Sequence, residues 1–306
     1  MKFMIMGAGG VGGYFGARLA EAGHEVVFVA RGAHRDAIAA NGLRVLSEAG
    51  DATIRPARVT DDPAEAGVCD GVLVCTKLRD LEAAAAAIGP ATGPDTWVMG
   101  LQNGVEKDRV LTEAVGPDAV VGGTAHIAAV VEEPGVIRHT GTMARLIYGE
   151  LDGRRSGRMA TFDRAARGCR GFEAVLSDDI GFDIWRKLSF LAPFATVTCL
   201  FRSPIGPIRA DAERRAVFAA LVAEAAAVGR AAGIAFPDDH EARIMEQMDR
   251  LPEVMKSSML HDLEAGRPLE LDWLTGAVCR LGREHGVATP ATDEAYAALA
   301  RAKDGA

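Results

Sequence analysis

Residues 1–32 read MKFMIMGAGGVGGYFGARLAEAGHEVVFVARG, and this stretch decides the fold of the chain. Phe3–Met6 is a short apolar run of the kind found in buried parallel strands. A segment with apolar residues at helical spacing follows and ends at Gly23. Val26–Ala30 is a second apolar run. The stretch therefore predicts a strand, a helix and a second strand parallel to the first.

The turn between the first strand and the helix reads GAGGVG, a match to the GxGxxG pattern. Gly7 permits a tight turn, Gly9 lets a pyrophosphate approach the backbone, and Gly12 lets the helix and strand pack closely. The helix N-terminus also attracts anions. In this strand–turn–helix context the pattern predicts a dinucleotide site, whereas the alternative is a packing turn without a ligand. The predicted cofactor-binding residues of the turn are Gly7, Ala8, Gly9, Gly10, Val11 and Gly12.

The end of the second strand indicates which dinucleotide is bound. NAD sites usually place a carboxylate there for the ribose 2′-hydroxyl, and NADP sites often place an arginine there for the 2′-phosphate. This strand ends in Ala30-Arg31-Gly32, and Glu25 lies at the opposite end of the strand. NADP bound by Arg31 is therefore favoured over NAD, the alternative being that Arg31 is a solvated loop charge.

Composition limits the class of protein. The 306 residues are 49% hydrophobic and 25% charged, which is typical of a globular chain long enough for two domains. A net charge of −8 argues against nucleic-acid and anionic-membrane partners. Five scattered cysteines and no targeting or membrane-spanning segment predict a cytoplasmic protein with reduced thiols and no metal site.

Alternating strand and helix patterns continue to about residue 120 and predict a doubly wound parallel sheet. Leu43–Val45 and Thr53–Val59 are expected to pair with each other. Short strands at Thr124–Val131, Gly135–His139 and Arg145–Tyr148 are expected to add an antiparallel edge. The predicted fold class is thus an α/β Rossmann-type domain with an antiparallel edge, followed by an all-α domain.

Only helical patterns follow residue 180, with breaks at proline and glycine residues. We predict an NADP-binding domain over 1–178 and a helical substrate or dimerisation domain over 179–306, with the active site in the cleft between them. The apolar stripes of the helical domain are consistent with a homodimer interface or with the domain's own core. The predicted helices are Asp211–Ala232, Glu241–Leu251, Glu253–Glu264 and Leu271–Glu284.

Hydride transfer from a nicotinamide to a ketone requires a proton donor beside the carbonyl oxygen. Lys187, close after Trp185 at the start of the helical domain, is one candidate, although on spacing alone it reads as an exposed helix lysine. His126 is a second candidate, ranked below Lys187 because such a histidine is more often structural. Gly206, with Arg202 and Arg209, forms either an anion-binding loop or a surface turn.

The chain contains a series of short motifs, which are Gly7–Gly12, Lys77, Gln102-Asn103-Gly104, Thr124-Ala125-His126, Trp185-Arg186-Lys187-Leu188, Ser257-Ser258-Met259-Leu260 and Glu270-Leu271-Asp272. In this order and spacing they resemble the ketopantoate reductase (2-dehydropantoate 2-reductase) family, and the similarity runs through nearly the whole chain. The family resemblance implies that Lys187 protonates the alkoxide as hydride arrives and that Ser258 contacts the substrate carboxylate. It further implies that Asn103 is catalytic and binds the nicotinamide ribose and substrate, and that catalytic Glu270 binds the cofactor and orients the lysine network. Lys77 and Ala128 are the remaining implied cofactor contacts.

The chain departs from the family pattern behind Lys187. Members that reduce ketopantoate typically carry asparagines four and eight residues after the lysine, and this chain carries Leu191 and Ala195 there. Because a pocket without these amides binds a polar hydroxy acid less well, we hypothesise that the substrate is a different, more apolar 2-oxo acid.

The sequence thus predicts an NADPH-dependent reductase that converts a 2-oxo acid to a 2-hydroxy acid, with a resemblance that implies pantothenate biosynthesis. Two alternatives remain open at this point. One is a β-hydroxyacid dehydrogenase, which usually uses NAD. The other is a non-catalytic NADP-binding regulatory protein.

Overall fold

The computed structural model describes residues 1–305, which divide into two compact units. The first unit comprises Met1–Gln102 and Lys107–Asp183, and the second comprises Asn103–Glu106 and the described chain from Ile184 onward. The boundary predicted at 178/179 lies a few residues before this division, and the predicted domain limits stay a prediction. No helix within residues 1–305 combines the length and apolar character needed to cross a membrane.

The first unit contains one sheet with helices packed against it. Its strands are β1 Lys2–Met6, β2 Glu25–Val29, β3 Leu43–Ser47, β4 Ala52–Ile54, β5 Arg58–Thr60, β6 Gly71–Val74, β7 Trp97–Gly100, β8 Val120–Glu133, β9 Val136–Glu150 and β10 Glu173–Leu176. Its helices are α1 Gly10–Glu21, α2 Gly32–Asn41, α3 Leu81–Ala87, α4 Lys107–Val115 and α5 Gly157–Arg167.

The sheet order is β4-β3-β9-β8-β7-β6-β1-β2-β5, and β10 also pairs with β9. Six neighbouring strands of this order run parallel to one another, namely β5, β2, β1, β6, β7 and β8. Strand β8 pairs antiparallel with β9, and β3 and β10 run parallel to β9. Phe3, Met4 and Ile5 of the central strand are fully buried, as expected of a strand covered on both faces. The predicted fold class, a mostly parallel sheet with an antiparallel edge and a helical C-terminal region, is confirmed.

Two details of the predicted strands are wrong. The predicted strand Thr53–Val59 is divided at Pro56 into β4, which pairs antiparallel with β3, and β5, which pairs parallel with β2. Proline lacks the N–H that a continuous ladder needs, so the chain leaves one strand and joins another.

The three short strands predicted between residues 124 and 148 are instead parts of the long hairpin β8–β9. Its ladder shifts register between the pairs Ala129–His139 and Ile127–Ala144, which leaves residues 140–143 as a bulge with Gly141 at φ 74°. Such an insertion interrupts the alternating pattern without ending the strand, so the sequence reads as separate short strands.

The second unit is helical. Its helices are α6 Ile180–Leu200, which starts in the first unit, α7 Ile205–Ala210, α8 Ala212–Ala231, α9 His240–Arg250, α10 Ser258–Glu264, α11 Thr275–His285 and α12 Pro290–Leu299. The helix predicted over Glu253–Glu264 begins five residues later because the Ser257 hydroxyl accepts a hydrogen bond from the Leu260 N–H and caps α10. Buried side chains of α6, α8, α10 and α11 form one apolar cluster, hereafter the helical core.

Candidate active site

The glycine-rich turn joins β1 to α1, and the three glycines of its pattern have different surroundings. Gly7 has φ 102°, a conformation that favours glycine. A Cβ on Gly12 would lie 2.1 Å from the Gly7 carbonyl oxygen, so helix and strand approach closely only with glycine there. A Cβ on Gly9 would meet nothing within 4 Å. The turn is therefore closely packed on its inner side and open at Gly9.

The N-terminus of α1 is exposed to a ligand at this opening. Gly9 is the N-cap residue and supplies no side-chain cap, so the first backbone N–H groups of α1 remain available to an anion. Gly10 faces strand β8 instead of the opening, because a Cβ there would lie 2.1 Å from the carbonyl oxygen of Ala129 on β8. These features fit the pyrophosphate of a dinucleotide bound at Gly9.

The end of β2 carries an exposed basic group. Arg31 follows the strand, is exposed and forms the N-cap position of α2. Two carboxylates occur nearby in the sequence, on Asp36 and Asp61, and Arg35 pairs with both at 2.7 Å. Glu25 begins β2 and pairs with Arg58 at 2.9 Å. Arg31 thus places an exposed cation directly after β2.

The other predicted site residues of the first unit lie just after β6 or on β8. Lys77 is exposed and comes just after β6. Ala128 is exposed on β8, at the point where the ladder with β9 is interrupted by the bulge. His126 is half-buried on the same strand and stands opposite Arg145.

Lys187 lies on α6 in the second unit and is half-buried. The same helix carries Leu191 and Ala195, one and two turns further on. Leu191 is half-buried against the helical core, and Ala195 is buried within it. The two turns that follow Lys187 on its own face of α6 therefore present hydrocarbon.

Asn103 and Glu270 meet in the second unit although 167 residues separate them. The Asn103 Nδ2 donates a hydrogen bond of 3.2 Å to Glu270 Oε2. Ser258 is exposed as the first residue of α10, and the preceding Ser257 is buried with its hydroxyl 2.7 Å from that of Thr198 on α6. The structure thus brings Asn103 and Glu270 together and anchors the segment that carries Ser258 to the helix of Lys187.

Two polar features near the ends of β6 and β7 were not predicted. Lys107 is fully buried and pairs with Asp108 at 3.1 Å, and burial raises the pKa of the Asp108 carboxyl. Gln102 is also buried and contacts Thr76 at 3.5 Å. A lysine–aspartate pair in sequence reads as a solvated helix start, so only the surrounding fold reveals its burial.

His34 of α2 contacts the glycine-rich turn, although the sequence analysis did not identify it as a site residue. Its Nε2 lies 2.8 Å from the carbonyl oxygen of Ala8, and its Nδ1 lies 3.0 Å from the backbone nitrogen of Gly135. No sequence signal marks this pairing, because Gly135 is 101 residues away.

In the predicted loop of Arg202, Gly206 and Arg209, the Gly206 N–H and the Arg209 guanidinium are occupied. The Gly206 N–H donates to the Glu253 carbonyl at 2.9 Å, and the Arg209 guanidinium donates to the Leu251 carbonyl at 2.7 Å. These contacts support the surface-turn alternative.

The five cysteines have free thiols, and burial raises the pKa of Cys75, beside the glycine-rich turn, to about 12. Among residues 1–305 no three acidic, histidine or cysteine side chains are grouped as a metal site would require.

Two family models match the chain in consecutive segments. The model for ketopantoate reductase PanE/ApbA matches residues 3–153, and the model for its C-terminal region matches residues 179–303. The chain belongs to the ketopantoate reductase family. Members of this family are oxidoreductases that act on ketone and CH–OH groups, so the predicted resemblance and enzyme class are confirmed.

Individual relatives within and near the family match the whole chain. A 2-dehydropantoate 2-reductase of Mesorhizobium japonicum is 36% identical over 322 residues, covering 98% of this chain and 97% of the relative. The crystal structure of 2-dehydropantoate 2-reductase from Geobacter metallireducens has a TM-score of 0.91 at 31% identity, covering 99% of this chain and 100% of the other. D-mandelate dehydrogenase with NADH and anilino(oxo)acetate has a TM-score of 0.87 at 23% identity, covering 99% and 98% of the two chains, and shares the fold.

Proposed function

We propose that this protein is an NADPH-dependent reductase that converts a 2-oxo acid to the corresponding 2-hydroxy acid. The observation that carries the proposal is membership of the ketopantoate reductase family across both matched segments. The open glycine-rich turn and Lys187 on α6 supply, respectively, an anion site for a dinucleotide and a proton donor. NADPH, when bound, supplies the hydride.

The preference for NADPH over NADH rests on the end of β2. Arg31 is exposed there, and the nearby carboxylates of Asp36 and Asp61 each pair with Arg35. An arginine binds a phosphate with up to two charge-assisted hydrogen bonds, and β2 itself does not end in a carboxylate that could hold a 2′-hydroxyl. Arg31 is therefore proposed to bind the 2′-phosphate.

The proposed chemistry assigns one role to each remaining residue. Lys187 Nζ donates a proton to the carbonyl oxygen of the substrate as negative charge develops there. Asn103 positions the ribose and substrate, with its amide oriented by the 3.2 Å hydrogen bond to Glu270. The Ser258 hydroxyl donates to the substrate carboxylate. Lys77 and Ala128 are proposed cofactor contacts, as the family resemblance implies.

The substrate is proposed to be a 2-oxo acid whose side chain is apolar and carries no hydroxyl. Leu191 and Ala195 follow Lys187 on the same face of α6 and offer no hydrogen bond to a substrate hydroxyl. Ketopantoate carries such a hydroxyl, which would lose its water contacts without gaining a partner. A 2-oxo acid with a branched alkyl or aryl group avoids this cost.

The test is NADPH oxidation by purified protein with ketopantoate and with a panel of alkyl and aryl 2-oxo acids, NADH serving as the cofactor control. We expect turnover with NADPH, fastest for the apolar members of the panel. Efficient ketopantoate reduction would place the protein in pantothenate synthesis and disprove the altered substrate. NADPH binding without turnover of any 2-oxo acid would instead favour a regulatory protein.

Lys187→Met tests the proton donor directly. We expect kcat to fall by about 10²- to 10⁴-fold, because general acid catalysis contributes on that order, while the dissociation constant for NADPH is unchanged. Lys2→Met, at the beginning of β1, is the matched control and should retain wild-type activity. A Lys187→Met protein with wild-type kcat would show that another group donates the proton.

A further inference from the structure

His34 links two backbone segments of the first unit through both of its ring nitrogens. The Gly135 N–H donates to Nδ1 at 3.0 Å, so Nδ1 carries no hydrogen. The Ala8 carbonyl can only accept, so Nε2 carries the hydrogen and donates it across 2.8 Å. The contacts therefore define a neutral ring with one tautomer and with both nitrogens in use.

The two partners of His34 border the opening of the glycine-rich turn. Ala8 immediately precedes Gly9, where a Cβ would meet nothing within 4 Å. Gly135 lies in the turn of the β8–β9 hairpin, and the same hairpin contacts the start of α1. Side chains at Gly10 and Gly13 would collide with Ala129 and Ile137 of that hairpin at 2.1 and 2.7 Å. The hairpin thus lies along the first turns of α1, and His34 joins its tip to the turn.

We propose that His34 is a positioning residue of the dinucleotide site. The hydrogen bond from Nε2 holds the Ala8 carbonyl oxygen, which would repel a pyrophosphate if it rotated toward Gly9. The hydrogen bond from Gly135 fixes the ring and selects the tautomer that can donate to Ala8. This inference rests on the proposed function, in which the turn binds NADPH, and it gives His34 no contact with the reacting atoms.

Two conservative variants separate the two hydrogen bonds. In His34→Gln the side-chain amide can reach the position of Nε2 and donate to Ala8, but the acceptor for Gly135 is lost. In His34→Asn the shorter amide can reach the position of Nδ1 and accept from Gly135, but the donor to Ala8 is lost. His34→Ala loses both.

The dissociation constant for NADPH is measured by fluorescence titration of each variant. We expect roughly five- to tenfold weaker binding in His34→Asn and His34→Ala, the effect of about one hydrogen bond, and a change within about threefold in His34→Gln. The loss in His34→Asn and His34→Ala should also appear as a higher KM for NADPH. His139→Gln is the matched control, because His139 also makes two hydrogen bonds, to Ser47 and Met143, away from the turn.

A second measurement on the wild-type protein without cofactor uses the ¹⁵N shifts of the His34 ring, which report its tautomer. We expect Nε2 protonated and Nδ1 unprotonated, and the opposite tautomer would overturn the proposal even if a variant failed to fold. NADPH binding by His34→Ala that equals the wild type would overturn this inference alone, as would an equal loss in His139→Gln. Failure of the wild-type protein to bind NADPH would overturn the proposed function together with this inference.

Discussion

At the scale of single residues, Leu191 is the position at which the proposed preference among 2-oxo acids can be tested. We expect Leu191→Asn to raise kcat/KM for ketopantoate relative to an alkyl 2-oxo acid by at least about tenfold, because the new amide can pair with the substrate hydroxyl. The measurement is the ratio of the two kcat/KM values, which cancels a general loss of active protein.

Leu281→Asn is the matched control for that change. Leu281 is also half-buried against the helical core, but it lies on α11. Its substitution should lower stability by an amount similar to Leu191→Asn, without changing the ratio of kcat/KM values. An unchanged ratio in Leu191→Asn would mean that this side chain does not face the substrate.

The contacts of individual residues were the least predictable part of the molecule. The hydrogen bond between Asn103 and Glu270 and the one between His34 and Gly135 join residues more than a hundred positions apart. No local pattern encodes such a pair, so Asn103 and Glu270 were found only through resemblance to a family. His34 has no counterpart among the motifs of that resemblance and was missed as a site residue.

At the scale of elements, the accuracy of the prediction depended on whether an element is defined locally. The β1–α1–β2 unit was predicted to within a few residues because its apolar runs and glycines are contiguous in sequence. The bulge at residues 140–143 was not predicted, because a register shift depends on the partner strand. Likewise, Pro56 was not recognised as a break, since the residues on either side of it both suit a strand.

The contact between α6 and α9 predicts a pH dependence of stability. His240 begins α9, is buried, stacks on Phe236 at 3.9 Å and contacts the Ser189 hydroxyl of α6 at 2.9 Å. Burial lowers the pKa of His240, so the folded protein resists protonating a ring that the unfolded chain protonates readily. The stability present above the unfolded value of about 6.5 is therefore lost as pH falls through the lower folded-state pKa.

His240→Gln tests this dependence because glutamine can keep a hydrogen bond to Ser189 but does not titrate. The free energy of unfolding, measured by urea denaturation at pH 7.5 and 5.5, should fall less in the variant than in the wild type. Some decrease should remain, because burial also lowers the pKa of His24 in the first unit. An equal decrease in both proteins would mean that His240 does not contribute.

At the scale of the whole molecule, the division into two units was predictable from the change in pattern near residue 180. The assignment of every residue to one of the two units was not predictable. Asn103–Glu106 belongs to the compact unit formed mainly by residues after Ile184, although β7 and α4 on either side of it belong to the other. Within its own unit this segment is held by the Asn103–Glu270 hydrogen bond and by contact between Glu106 and Arg280. A sequence read in order cannot assign four residues to a distant segment, because the contacts that do so form only on folding.

Gly9 and Gly10 allow stability and cofactor binding of the whole protein to be separated. Gly10→Ala should lower the melting temperature of the protein without cofactor, because its Cβ would lie 2.1 Å from the Ala129 carbonyl oxygen and such overpacking costs about 1–3 kcal/mol. Gly9→Ala should leave that temperature unchanged, because its φ of −70° suits alanine and nothing lies within 4 Å of the new methyl group.

Stabilisation by NADPH, in contrast, should be reduced mainly in Gly9→Ala. At a hundred times its dissociation constant, NADPH should stabilise the wild type by about 2.7 kcal/mol and raise its melting temperature by about 4 °C. At the same NADPH concentration, Gly9→Ala should show less than half of that rise, because the methyl group occupies the space where the pyrophosphate would approach the backbone. A full rise in Gly9→Ala would show that NADPH binds elsewhere, since the one change made was to fill the opening of the turn.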